Sequence, residues 1–388
     1  MAIPRVYLDN NATTPLRPEI LSELPRLFST MGNASSLHEE GRAAKALVEQ
    51  AREEVAALIG AKAGRIIFTS GGSESNNTVF SLMPDEAKRR RRDRILVSAV
   101  EHPCVERSAA RLSALGLKVE AIPVDERGIV RPEALKAMVG KDCLLVSIMA
   151  ANNETGSVND VTALREIASA AGALFHTDAV QAAGKIPFDV SAIDPDYASL
   201  SAHKIYGPKG VGALYVRRGS PMEAFIRGGH QEHGFRAGTY NTPAIAGFGM
   251  AATLARAELP AYAARVRALR DRLKEGLLAA IPGAKVNGDL QGGLPNTLNM
   301  SFPGAEGEAI LLYLDMAGIA VSTGSACASG SLEPSPVLLA MGLGPELAHG
   351  SIRFSLGRQS TEEEIEYCVK EIPPVIARVR AMSTVGGY

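Results

Sequence analysis

The sequence predicts an α/β fold, a largely parallel sheet covered by helices, followed by a smaller α+β domain. Two features carry this prediction. Apolar runs of strand length alternate with helical stretches from Ile66 to Val216, and from Thr242 onward long Ala/Leu/Arg-rich helices give way to shorter, spaced strands. With 388 residues, 46% of them apolar, the chain is longer than one core usually supports, so two packed domains are expected.

The elements follow in order. Val6 to Leu8 predicts a short strand, and Asp9 to Pro15 a polar turn. Leu47, Val48, Ala51, Val55, Leu58 and Ile59 recur at helical spacing, giving a helix over Gly41 to Ile59 that Gly60 stops. Strands are predicted at Ile66–Thr69, Ile95–Ser98, Leu117–Val124, Leu144–Met149, Leu174–Thr177, Tyr197–Ser201 and Val211–Val216. Helices are predicted from about Glu74, from about Val105, over Pro132–Met138 and over Val161–Ala171. Two long helices, Thr242 to about Glu258 and Ala261 to Ala280, flank a domain boundary near Leu259-Pro260. Beyond them come strands near Ala284–Asn287, Leu298–Phe302, Ile319–Ser322 and Ile352–Ser355. A last helix opens on a capping box at Ser360-Thr361-Glu362-Glu363 and should kink at Pro373-Pro374.

Bulk properties exclude several roles. Lys+Arg at 41 nearly cancels Asp+Glu at 42, so no overall field favours nucleic acid or an anionic membrane. The basic run Lys88 to Arg94 has no interleaved aromatics and is expected to be a solvated loop. No signal-peptide core or membrane-length apolar run occurs, and four scattered cysteines without a CxxC pair argue against zinc and disulfides. The His230/His233 pair, without further ligands, is expected to be structural, so no metal is predicted. A cytoplasmic location is expected.

Chemistry gathers at the carboxyl ends of the predicted strands, where open parallel sheets bind ligands. Lys204 lies between the strand Tyr197–Ser201 and a Gly-Pro turn, with Ser201 and His203 beside it. A lysine fixed there can form a Schiff base, although a hairpin lysine pointing into water would look the same. Gly71-Gly72-Ser73 joins a strand to a helix, which suits either anion binding at a helix N-terminus or an ordinary capped turn. Asp178 can hold a protonated ring nitrogen or serve as an N-cap. Asn153 offers an amide and His102 an imidazole at the same rim. Together these clusters fit a phosphorylated aromatic aldehyde, pyridoxal phosphate, an electron sink for a carbanion. Cys327 sits in a Gly/Ser-rich stretch suited to an exposed, travelling thiol, whereas Cys104, Cys143 and Cys368 are expected to be packing residues, with a place near the site left open for Cys104. Arg353, on an apolar strand, needs a carboxylate, supplied either by substrate or by an internal ion pair.

These stretches, with Leu8 to Pro15, Thr69 to Asn77, Asn152 to Gly156, His176 to Gln181, Ser201 to Gly210, Arg236 to Thr239 and Arg353 to Arg358, resemble the NifS/IscS-type cysteine desulfurases nearly end to end. These are fold-type I pyridoxal phosphate enzymes of the class V aminotransferase group. The resemblance implies a homodimer that takes sulfur from L-cysteine, leaving L-alanine and a persulfide on Cys327 for a sulfur-acceptor or iron–sulfur scaffold protein. It implies a large domain over 15–258, and a small domain of 1–14 and 259–388 carrying the cysteine loop and Arg353. Lys204 would carry the Schiff base and shuttle the Cα proton, with His102 stacking on the ring and assisting. Asp178 would pair with the ring nitrogen, and Gln181 and Asn153 would lie at the ring oxygen. Gly72, Ser73, Ser201 and His203 would hold the phosphate, with Thr239 reaching the partner's. Arg353 and Asn153 would bind the substrate carboxylate. Departures are Ser73 in place of the usual threonine, His230 in place of a glycine, and Tyr240-Asn241 after Gly238-Thr239.

Overall fold

The computed structural model describes residues 5–323 and 333–382. The chain enters on β1 (Val6–Tyr7) and continues through α1 (Pro18–Phe28) and α2 (Glu39–Leu58). A seven-stranded sheet follows, made of β2 (Ile66–Thr69), β3 (Arg94–Ser98), β4 (Lys118–Ile122), β5 (Cys143–Ser147), β6 (Leu174–Asp178), β7 (Tyr197–Ser201) and β8 (Gly212–Val216). Its spatial order is β2-β8-β7-β6-β5-β3-β4. Only β8 runs against its neighbours, pairing antiparallel with both β2 and β7. β2 therefore points the same way as β7, and the carboxyl ends of β2, β3, β5, β6 and β7 share one rim.

Helices α3 (Gly72–Arg90) and α4 (Pro103–Ala114) cover one face through Phe80, Met83, Val105 and Leu112. The other face packs on α2, α5 (Pro132–Met138), α6 (Val161–Ala170) and the first half of α8 (Thr242–Ala280), and a short α7 (Val190–Ile193) adds Val190 to that core. Burial on both faces explains why the central strands read as continuous apolar runs rather than alternating ones.

A second core lies beyond. Strands β9 (Lys285–Asn287), β10 (Thr297–Ser301) and β12 (Ser351–Ser355) form an antiparallel sheet, and β11 (Ile319–Ala320) pairs parallel with β1. With them pack α9 (Gly307–Met316) and α12 (Glu362–Met382), while α10 (Pro336–Ala340) and α11 (Pro345–His349) bridge toward the main sheet. Val6 and Leu8 are buried in this second core, far from their neighbours in sequence.

Three expectations need correction. The helix expected to break at Leu259-Pro260 is one 39-residue helix with Pro260 inside it. A proline there costs about 3 kcal/mol, but Phe248 and Ala251 anchor one end in the first core and Leu269 and Leu273 the other end in the second. In α12, which has Pro373 and Pro374 inside it, the capping box sits one residue later than expected. There the Glu364 N–H donates to Thr361 Oγ1 (3.2 Å) and the Thr361 N–H to Glu364 Oε2 (3.1 Å). The basic run is not a loop, because Lys88 to Arg90 are the last turn of α3 and Arg91 caps it in the left-handed conformation (φ 54°). Two of its charges are used internally: Arg92 donates to the Cys143 and Ala171 carbonyls, and Arg94 to Glu120. Finally, α1, α7, α9, α10 and α11 have no counterpart among the sequence-predicted helices.

The segment from Gly228 to Asn241, where the sequence departs from its resemblance, has structural duties. Glu232, itself at φ 47°, is 2% exposed and receives both Nη atoms of Arg52 (2.6 and 2.8 Å) and the edge-strand N–H of Phe68 (2.9 Å). Tyr240 accepts the Glu232 N–H, and Asn241 caps α8. His230 is exposed, and nothing in the structure explains it. Because removing one partner of a buried ion pair strands the other charge, Arg52→Met is expected to cost about 3–5 kcal/mol of stability, read by urea unfolding. A loss below about 1 kcal/mol, the worth of an exposed pair, would contradict that account.

Candidate active site

A cavity of about 350 Å³ opens at the shared rim. Gly72, Ser73, His102, Asn153, Asp178, Gln181, Ser201, His203, Lys204 and Arg353 all line it. Of the other sequence-predicted residues, Thr239 is exposed and does not line it, and Cys327 lies outside the described residues.

Lys204 ends a single 3-10 turn (Ala202–Lys204) that follows β7, so the loop is indeed a β7–β8 hairpin. Its lysine nevertheless faces inward: Nζ donates to the carbonyls of Asn11 (2.6 Å) and Ala12 (2.7 Å). The loop is stitched to the N-terminal segment. Thr14 donates both N–H and hydroxyl to the His203 carbonyl and accepts the Tyr206 N–H, and Tyr206 takes φ 67° to allow it.

The turn after β2 begins α3 with no side-chain cap, leaving its first N–H groups for a ligand. Gly72 must be glycine because a Cβ there would lie 2.6 Å from Val180 Cγ2. Facing this turn, Ser201 Oγ is buried with no hydrogen-bond partner among the described residues. His203 sends Nδ1 to Thr13 Oγ1 (3.1 Å), and burial, with Lys204, Lys209 and Lys185 nearby, lowers it to about 4. It is therefore neutral at physiological pH.

Asp178, at the end of β6, is held on both oxygens: Oδ1 accepts the Val180 N–H (2.9 Å) and Oδ2 the Asn76 amide (2.7 Å). His102 caps α4, its Nδ1 accepting the Cys104 N–H at 3.2 Å. The Cys104 side chain lines the cavity, with Sγ 3.0 Å from His102 Nδ1 and 3.1 Å from Asn76 Nδ2. Cys104 therefore packs against the core under α4 and also lies at the site, as a side chain early in a helix that leans back over its cap can. Cys143 and Cys368 are buried as expected, and burial pushes each thiol up to about 12.

Arg353 on β12 is 1% exposed and joins the second core to the cavity. Its guanidinium donates to Asp9 Oδ1 (2.8 Å) and to the Asn153 carbonyl (3.2 Å), while Nε is buried without a partner among the described residues. The internal ion pair and a place at the cavity are thus both real. Asp9, Asn11 and Asn76 were missed as site residues, since nothing local marks them. Next to Asn153, Glu154 Oε2 accepts the Ser335 hydroxyl (2.6 Å), pinning the chain just beyond residues 324–332; burial raises Glu154 to about 7.

The chain belongs to the class-V aminotransferase family, whose profile matches residues 6–368. Within it, the chain is 50% identical to the cysteine desulfurase of Cereibacter sphaeroides over 98% of this chain and 98% of that protein. It is 45% identical to the cysteine desulfurase NifS of Azotobacter vinelandii, over 97% and 94% respectively. A solved NifS-like protein superposes with a TM-score of 0.91 at 40% identity, covering 97% of this chain and all of that one. Among the described residues no helix is long and apolar enough to cross a membrane, and no group of three or more His, Cys, Asp or Glu side chains could hold a metal ion.

Behind His102, Glu101 is buried with Oε1 accepting the Met149 N–H, and Oε2 without a partner among the described residues. Burial first, then the Asp178 carboxylate, raise it to about 8. An acid easier to protonate when folded supports the fold fully below its ordinary value of 4.5 and loses that support as pH climbs toward 8. Glu101→Gln is therefore expected to gain stability relative to wild type steadily across that window, measured by urea unfolding without added ligand. A difference that stays flat with pH would show that Glu101 is ionised throughout.

Proposed function

We propose that this chain is a cysteine desulfurase using pyridoxal 5'-phosphate, which takes sulfur from L-cysteine as a persulfide on Cys327 and leaves L-alanine. The reaction class follows from the family and from desulfurases about half identical over nearly the whole chain. The observation that carries the cofactor reading is the buried Ser201 hydroxyl, without a partner among the described residues, in a cavity that also holds Lys204 and the uncapped start of α3. Native structures rarely bury such a hydroxyl without a partner, and a phosphate supplies one. When bound, the cofactor serves as an electron sink that makes the substrate Cα proton acidic.

The chain's own residues do the rest. The N–H groups of Gly72 and Ser73, with Ser201 and neutral His203, hold the phosphate. Asp178, fixed on both oxygens, pairs with the ring nitrogen, Gln181 bonds the ring oxygen, and His102 covers the ring face. Lys204 Nζ anchors the cofactor and then moves the Cα proton. Arg353, braced by Asp9, orients the substrate carboxylate together with Asn153. The Cys327 thiolate attacks the substrate sulfur, so that the S–S bond forms as the Cβ–S bond breaks. The electron pair stays on carbon, which is protonated to give L-alanine. The persulfide's outer sulfur then passes to an acceptor for iron–sulfur or other thio-cofactor synthesis. Thr239, exposed in the single chain, reaches a second copy's phosphate in a cytoplasmic homodimer. The division into 15–258 and 1–14 with 259–388 belongs to the same reading, supported by the change of core along α8.

Protein supplied with pyridoxal phosphate is expected to turn yellow and to bleach with borohydride. L-cysteine then adds one sulfur to the intact mass, mapped to Cys327. Lys204→Ala should lower alanine formation by roughly 10²–10⁴-fold. If Cys327→Ala still released sulfide at the wild-type rate, the thiol's role would be refuted.

A further inference from the structure

Lys185 is 2% exposed and takes no part in the mechanism above. Its Nζ donates to Gln181 Oε1 and, at 3.1 Å, to Asn11 Oδ1. The charged groups that act on it are Lys204 and Arg353, both cations, and with burial they favour its neutral amine. A neutral amine has two N–H groups, matching these two acceptors. Asn11 cannot turn away, because its Nδ2 is committed to the Asn153 carbonyl (3.0 Å) and Thr297 Oγ1 (2.8 Å). Gln181 is fixed at its other end, where Nε2 donates to the Asn11 carbonyl (3.0 Å) that also accepts from Lys204.

We propose that Lys185 is a positioning residue for the desulfurase reaction, holding Gln181 with Oε1 turned away from the cavity so that the second Nε2 hydrogen faces into it. That hydrogen is then available to the anionic ring oxygen of bound pyridoxal phosphate; the assignment rests on the cofactor reading above. Without Lys185, Gln181 Oε1 is a buried acceptor with no donor, and the side chain is released to present its oxygen to the cavity instead.

The test is the pH midpoint of the visible absorbance change of protein loaded with pyridoxal phosphate. An N–H on the ring oxygen favours the deprotonated form, so losing it raises the midpoint. Lys185→Met is expected to raise it by about one pH unit, the scale of one hydrogen bond to a charged group. In a Gln181→Ala background the same substitution is expected to change nothing further. Equal shifts in both backgrounds would mean that Lys185 acts by through-space charge and would overturn the assignment, as would no shift in either. Lys185→Gln retains an N–H donor and is expected to keep the wild-type midpoint. A raised midpoint there overturns the donor role even if the methionine variant fails to fold. A wild type that stays colourless overturns the cofactor reading, and this assignment with it; a coloured wild type indifferent to Lys185 overturns the assignment alone.

Discussion

The site depends on one asparagine. Asn11 offers its backbone carbonyl to Lys204 and Gln181, and its side chain to Lys185, Asn153, Thr297 and Asn296. These partners come from the β7–β8 hairpin, the turn after β6, the loop after β5, and β10 with the residue before it. A single buried amide thus ties the rim of the main sheet to the second core. Every partner bond is to a neutral group or an amine, so the tie holds without a carboxylate that would compete with an anionic ligand. Asp9, two residues earlier, adds a charged link, to Arg353.

Burial sets the electrostatics of the cavity as much as pairing does. Glu101 and Glu154 are raised by desolvation, His203 and Lys185 lowered by it, so groups that would carry charge in water are held near or in their neutral forms. Such an environment gives a charge such as the Arg353 guanidinium greater leverage over a ligand than it would have in water. His176, under the site on β6, follows the same rule: burial lowers it to about 3, and it serves as a hydrogen-bond bridge between Ser147 and Ser199.

Much of this arrangement was legible because a parallel sheet collects the carboxyl ends of its strands. Once β2, β3, β5, β6 and β7 are recognised as apolar runs, the polar residues after each must meet, and Ser73, His102, Asn153, Asp178 and Lys204 do. What escaped was set at long range. Nothing near Lys185 reveals that it ends beside Asn11, and nothing near Asp9 reveals Arg353 on β12. The break expected at Pro260 failed for the complementary reason, since a local rule worth a few kcal/mol was outweighed by two cores gripping the same helix. At Lys88 to Arg94 composition suggested a solvated loop, but Arg89, Arg90, Arg92 and Arg94 find carbonyls and carboxylates of their own.

The pairing of β1 with β11 carries a consequence for how the protein is made. Val6 meets Ile319 and Asp9 meets Arg353, so the first strand emerges from the ribosome long before its partners exist. At about 5–20 residues per second, that wait lasts tens of seconds. During translation the main sheet can assemble around β5 and offer Asn11 its Lys204, Gln181, Lys185 and Asn153 partners, while β1 still waits for β11 and Asp9 for Arg353. The nascent chain therefore acquires its main core first and the link from Asp9 to Arg353 last.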